Sequence, residues 1–303
     1  MSEFSPTEAA FSGFGFIRRH PVAVLIWAGV FLVYDIATVS AIIAFLPHKL
    51  EAVRAFQANA GQDEASVMEL LPTVMLMVLL RAAAQLVILS VASAAAFRAE
   101  LQPERKSLGY LRLGSDELHV GGLILLLAAL ALGHGFVVMF AMFTLALFAT
   151  GLKGVLAFAY LTVLFVLAGG VFVYPFVRLS LAGPMTLIDG HVRLLESWKH
   201  TKRAAWRLFG AYALAFLFTF VLFLITLILV VVAGWLATGQ PPSLKLLFAR
   251  DTSSLPAFLA PVSIFAAILD AAGAAVSLAV VTSVASSAYK AFGPSADGRP
   301  AEA

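Results

Sequence analysis

In VLLRAAAQLVIL, residues 78–89, Arg81 and Gln85 stand four residues apart in otherwise apolar surroundings. On a helix that spacing puts both on one face. Two acids occupy comparable settings, Asp35 in LVYDIATV and Asp270 in AILDAAGAAVS, and His134 sits between glycines in GHG. A guanidinium, two carboxylates and an imidazole kept from water allow two chemistries. One is an interhelical ion-pair pin, in which the surplus carboxylate is protonated, hydrated or shared with a third group such as His134. The other is an intramembrane polar site, with titratable groups around Arg81 and Gly133, Gly135, Gly169 and Gly170 loosening the backbone, in outline as transporters build sites from interrupted helices. Under the pin reading those glycines serve close contact between neighbouring helices.

The elements that carry these residues are apolar runs. The 303 residues are 61% hydrophobic and 12% charged, with a mean hydropathy of +0.97, more apolar surface than one water-soluble core requires. Six runs, 22–46, 70–96, 120–150, 155–181, 208–236 and 256–288, meet the roughly 20 residues that a hydrocarbon core of about 30 Å demands. They lack the alternation of barrel strands. The predicted fold is all-α: a polytopic membrane protein, a six-transmembrane-helix bundle with short interfacial amphipathic helices. Residues 1–21 form a cytoplasmic N-terminal segment, 22–290 the transmembrane domain and 291–303 a disordered tail. The first run is too long for a signal-peptide core and is expected to stay as a transmembrane helix. Arg81, Asp35 and Asp270 fall near the centres of their runs, at a cost of about 2.5–3.5 kcal/mol for a lone charge at the bilayer midplane, so each needs a partner. Asp270 shares a seven-residue stripe with Ser263 and Ser277 near Gly273, a small polar face suited to helix contact.

Basic residues orient the bundle. With both termini inside, fourteen of the 20 lie on the inner side, five on the outer side, and Arg81 within a run. The bias predicts cytoplasmic termini and leaves no reason to invoke nucleic acid.

The two longer inner connections, 97–119 and 177–207, share a plan: an arginine, Arg98 or Arg178, then a proline, Pro103 or Pro184, then a mixed apolar and charged segment. In the second, Ile188, Val192, Leu195, Trp198 and Ala205 fall near one side of a predicted helix, and Arg193, His200, Arg203 and Arg207 near another. Such a helix lies among headgroups, where each basic group gains on the order of 1 kcal/mol from an anionic leaflet; its plainer role is to set topology.

RLSLAGP followed by LLESWKHTKRAAWRLFGAYAL resembles the glycerophosphoryl diester phosphodiesterase membrane-domain family and related uncharacterised bacterial multi-spanning membrane proteins. The likeness spans about residues 174–216, with Asp189 before Gly190 where the family pattern has Glu. It implies a bacterial inner-membrane protein. In fused members of that family the phosphodiesterase chemistry resides in a separate soluble barrel, which these 303 residues do not encode, so the resemblance implies no catalysis.

Other chemistries find no support. Cysteine is absent, which removes disulfides and thiolate nucleophiles. There is no phosphate loop, His-Glu-x-x-His or Gly-x-Ser-x-Gly, and GFGFIR lacks the third glycine of a dinucleotide fingerprint. The six histidines are scattered, so no metal site, cofactor or catalytic residue is expected. Two functions remain: a non-catalytic membrane module contacting anionic lipid headgroups, a protein partner or another copy of itself through residues 185–207, or a small transporter or permease-like protein using Asp35, Arg81 and Asp270.

Overall fold

The structure, a computed structural model, describes residues 4–45, 64–104, 107–239 and 254–293. Among them no strand occurs, and the chain is helical nearly throughout.

Helix α1 (Pro6–Arg19) begins at an N-cap serine, Ser5, with Pro6 in its first turn and Arg18 and Arg19 in its last, a sequence matched to the helix dipole. His20 ends it, and Pro21, which has no N–H to continue the ladder, opens α2 (Pro21–Phe45). Then follow α3 (Glu64–Leu101), a 3-10 turn at Leu108–Tyr110, α4 (Ser115–Leu147) and α5 (Gly154–Arg178). After two short helices, α6 (Ala182–Asp189) and α7 (Leu194–His200), come α8 (Ala205–Thr238), the single turn α9 (Leu255–Phe258) and α10 (Pro261–Phe292). Six of these segments are long and apolar enough to cross a membrane, α5 running on through α6. The six-helix expectation therefore holds.

Helix α10 is the centre. It packs against α1, α2, α3, α6 and α8. Its contact face is almost free of side-chain relief: Ala267, Ala271, Ala275 and Ala279 recur every four residues, and all are buried. Small residues at that spacing let backbones approach closely, the main source of helix association where lipid removes the hydrophobic drive. The largest apolar cluster joins Ala271, Ala275 and Ala279 to Phe16, Trp27, Phe31, Ala92, Ala95, Ala96 and Ala99. Helices α4 and α5 pair with each other beside α3 and α8, and their outer faces expose Leu132, Phe136, Phe140, Val155, Phe158 and Phe165, side chains suited to acyl tails.

One feature adds to the expectation and one departs from it. The N-terminal segment is part of the packed body: Ala9, Ala10, Gly13 and Phe16 are buried on one face of α1, against α10 and α8. The predicted continuous helix toward residue 207 is broken. Gly190 takes the left-handed conformation at φ 68° and ends α6; the turn at 201–204 then separates α7 from α8, so Arg193, His200, Arg203 and Arg207 do not share one helical face. The connection between the first two apolar runs falls, up to residue 63, outside the described residues, as does the tail beyond Gly293.

The closeness of α1 to α10 is testable. A Cβ added at Gly13 stands 2.5 Å from Val280 Cα, whereas one at Gly15 meets nothing within 4 Å. Gly13→Val is expected to cost about 1–3 kcal/mol by overpacking, and Gly15→Ala to be neutral or stabilising by up to about 1 kcal/mol. Melting of purified protein followed by tryptophan fluorescence separates the two; equal effects would contradict the contact.

Candidate functional site

Four of the five residues singled out for an intramembrane cluster surround one space. Asp35 from α2, Arg81 and Gln85 from α3, and Asp270 from α10 line a cavity of about 470 Å³. Apolar walls are supplied by Phe31 and Val39 of α2, Phe258 of α9, and Ala267, Ala271 and Ala274 of α10. Tyr34 also lines it and donates its hydroxyl to the Arg81 backbone carbonyl at 3.2 Å. That bond spans α2 and α3 beside the guanidinium.

Depth follows from helix rise. At 1.5 Å per residue, Arg81 lies about 10 Å, and Asp35 and Asp270 about 14 Å, from the ends of their spans that are distal to the chain termini. Toward the termini the cavity is closed by packing, because Phe31 and Ala271 belong to the cluster that continues into Trp27, Ala275 and Ala279. On its far side Asp270 borders a second space of about 160 Å³, lined by Thr219 and Thr226 of α8 and by Gly273 and Ser277 of α10. The small polar stripe read around Asp270 thus faces a neighbouring helix at Gly273 and Ser277.

His134 is elsewhere. It sits between α4 and α5, where a ring N–H donates to the Val171 carbonyl at 3.1 Å and the ring stacks on Phe172 at 5.8 Å. It does not line the Arg81 cavity. Nor do the glycines around it bring helices together: Gly133, Gly169 and Gly170 face open space, and Gly135 alone of the four meets a ring, that of Phe172.

The basic face is also rearranged. Arg193 Nε meets Asp189 at 2.7 Å, and its Nη1 donates to Glu196. That hydrogen bond raises the Arg193 pKa and lowers that of Glu196 from their ordinary values. A depressed carboxylate stays ionised until pH falls below its usual range, so at neutral pH Arg193 is held by the protein. His200, Arg203 and Arg207 are exposed, and so are Lys199 and Lys202.

Arg98 and Arg178, basic residues at span ends that read as topology markers, are both buried. Arg98 donates to the Tyr110 carbonyl at 2.7 Å and to Glu117 at 2.6 Å, with Asp116 at 3.5 Å. Arg178 donates from Nε to Thr201 Oγ1 at 3.1 Å and from Nη2 to the Trp198 carbonyl, its guanidinium 4.5 Å from the Trp198 ring centre. In return the Thr201 hydroxyl reaches the Arg178 carbonyl at 2.8 Å. Each arginine therefore folds the connection after it back onto the helix it ends, the physical content of their shared plan. The readable signals were the acids 18 and 19 positions beyond Arg98 and the Ser-x-x-x-Thr of SWKHT. Glu100 completes this end, accepting from Ser283 at 2.5 Å with Lys290 at 3.6 Å. Among the described residues no group of three or more His, Cys, Asp or Glu is placed to hold a metal ion.

Six apolar spans, with charged groups answered inside the bundle, define a multi-pass α-helical membrane protein. Compared with family models, curated proteins and solved structures, the chain finds no match in any of the three.

Removing one member of the Arg98–Glu117 pair leaves an uncompensated buried charge. Arg98→Gln is expected to cost about 3–5 kcal/mol, and adding Glu117→Gln to recover part of that loss. Thermal melts of the single and double variants check it; strictly additive losses would show that the pair is not coupled.

Proposed function

We propose that this is a bacterial inner-membrane protein with cytoplasmic termini, non-catalytic and permease-like, which binds a small solute in the cavity between α2, α3 and α10. The observation that carries this reading is the space itself. A pin closes around its charges, since protein interiors leave few voids larger than a water molecule. Here Asp35, Arg81, Gln85 and Asp270 border about 470 Å³, a volume within the range of small-molecule sites. Charged and polar groups lining such a space offer a small polar solute something to meet. Packing blocks entry from the terminus side, so water enters from the distal side, which the charge bias makes the exterior. The resemblance of residues 174–216 to the phosphodiesterase membrane-domain family supports the bacterial inner membrane.

A second reading, compatible with the first, is contact with anionic lipid. It is favoured by Lys199, His200, Lys202, Arg203 and Arg207, all exposed, around Trp206, which is 82% exposed at the start of α8. An indole beside cations suits a headgroup layer. Reversing Lys202, Arg203 and Arg207 to Glu is expected to lower the anionic phospholipid retained through purification, measured by mass spectrometry; unchanged retention would remove this reading.

The cavity reading has a direct test because the chain has no cysteine, so any introduced thiol is the sole target. Ala274→Cys, on the cavity wall, is expected to react in intact cells with a membrane-impermeant thiol reagent. Ala279→Cys, at a buried position, is expected to stay unreactive. Protection of the thiol at position 274 would contradict a solute-accessible cavity.

A further inference from the structure

Another space of comparable size has the opposite character. Helices α3 and α4 touch where a Cβ added at Gly121 would stand 2.7 Å from Ser90 Oγ, yet one added at Gly122 meets nothing within 4 Å. The helices therefore part beside Gly122, and a groove of about 480 Å³ opens there, walled by Val87 and Val91 of α3 and by Leu113, Leu118 and Leu125. We propose that this groove binds one phospholipid of the leaflet on the side of the chain termini, with an acyl chain lying between α3 and α4 and the phosphate at Arg112. The site is separate from the solute cavity and from the basic surface at 199–207.

The walls decide what can enter. Apart from Ser90 and Glu117 they are Leu, Val and Gly, and both polar groups are committed: Ser90 donates to the Leu86 carbonyl at 2.5 Å, and Glu117 accepts from Arg98 at 2.6 Å. Water and polar solutes find few partners in such a space, while leaving it empty forfeits dispersion contacts along its whole length. The surroundings supply an apolar filler, because the groove lies within the spans Val74–Leu101 and Ser115–Gly151, among acyl tails. Its extent selects a tail over a helix. From Gly114 to Leu125 α4 rises about 16 Å, about half of a hydrocarbon core of about 30 Å and so one leaflet. A helix from a second copy needs a face running the full depth, and beyond Leu125 α4 instead exposes Leu130, Leu132 and Phe136. The mouth suits a headgroup: Arg112 is exposed next to Leu113, and the acids near it, Asp116 and Glu117, are engaged by Arg98. A guanidinium at that level finds its natural acceptor in the phosphate that every phospholipid carries.

The test is native mass spectrometry of the purified protein in mild detergent, titrated with dioleoylphosphatidylcholine, a zwitterionic lipid that the basic surface at 199–207 does not select. Wild-type protein is expected to hold one such lipid saturably. Gly122→Phe, which sets a ring into the groove, is expected to lose it; Val87→Phe, from the facing wall, serves if the first variant does not yield folded protein. Gly169→Phe on α5, where an added Cβ also meets nothing within 4 Å, is expected to retain the lipid, and Arg112→Glu to hold it more weakly. No saturable binding by the wild type, undiminished binding with the groove filled, or equal loss in Gly169→Phe would overturn the site. Unchanged binding in Arg112→Glu would overturn the placement of the phosphate. Leu118→Cys in the otherwise cysteine-free chain, oxidised in membranes, is expected to remain monomeric; a disulfide-linked dimer would assign the groove to a second copy instead. None of these outcomes bears on the solute cavity, which labelling at position 274 tests.

Discussion

Close approach of helix backbones along α10 is the constraint on which the bundle rests. Ala267, Ala271, Ala275 and Ala279 are buried at four-residue intervals, and Gly13 of α1 lies against Val280 on the same helix. In lipid no hydrophobic drive pulls apolar helices together, so association depends on van der Waals contact and interhelical polar bonds, and both need short interaxial distances. The face that allows this is also the floor of the cavity, since Ala271 belongs to both the packed cluster and the cavity wall. Where the stripe meets Phe31, packing stops and the polar space begins.

Charges inside the bundle sort into two kinds by what surrounds them. Near the termini, Arg98, Glu117, Arg178 and Glu100 have explicit hydrogen-bond partners at close range, which fix the connections after α3 and α5 and the end of α10. Charge-assisted bonds of this type are strong and directional, and breaking one side leaves the other uncompensated. Around the cavity, Asp35, Arg81 and Asp270 line a shared volume. The first group is fastening; the second is the arrangement expected of a site, because groups that meet a ligand must have room for it.

The runs of Leu, Val, Ala and Phe made the six spans legible, since length and apolarity alone decide whether a helix can cross a bilayer. Asp35, Arg81, Gln85 and Asp270 could be grouped because a charge in lipid implies a partner. His134 was placed with them on depth alone, and depth carries no azimuth: its helix faces α5, and the ring is satisfied there by Val171 and Phe172. The burial of Arg98 and Arg178 was hidden for the opposite reason. An arginine at a span end reads as a topology marker, and nothing local shows that the chain returns to cover it. Gly190 was visible, but a left-handed turn at one residue decides a break that the pattern of apolar side chains runs straight across.

Asp35, Arg81 and Asp270 line one space among α2, α3 and α10. An experimental density map of the protein in a lipid nanodisc, sharp enough to show side chains, tests it most directly. The expected result is all three side chains turned toward one space holding ordered water or a bound molecule, below which Phe31, Ala271 and Ala275 are in contact. A map with Arg81 directed into lipid, or with the three groups packed together and no space between them, would contradict it.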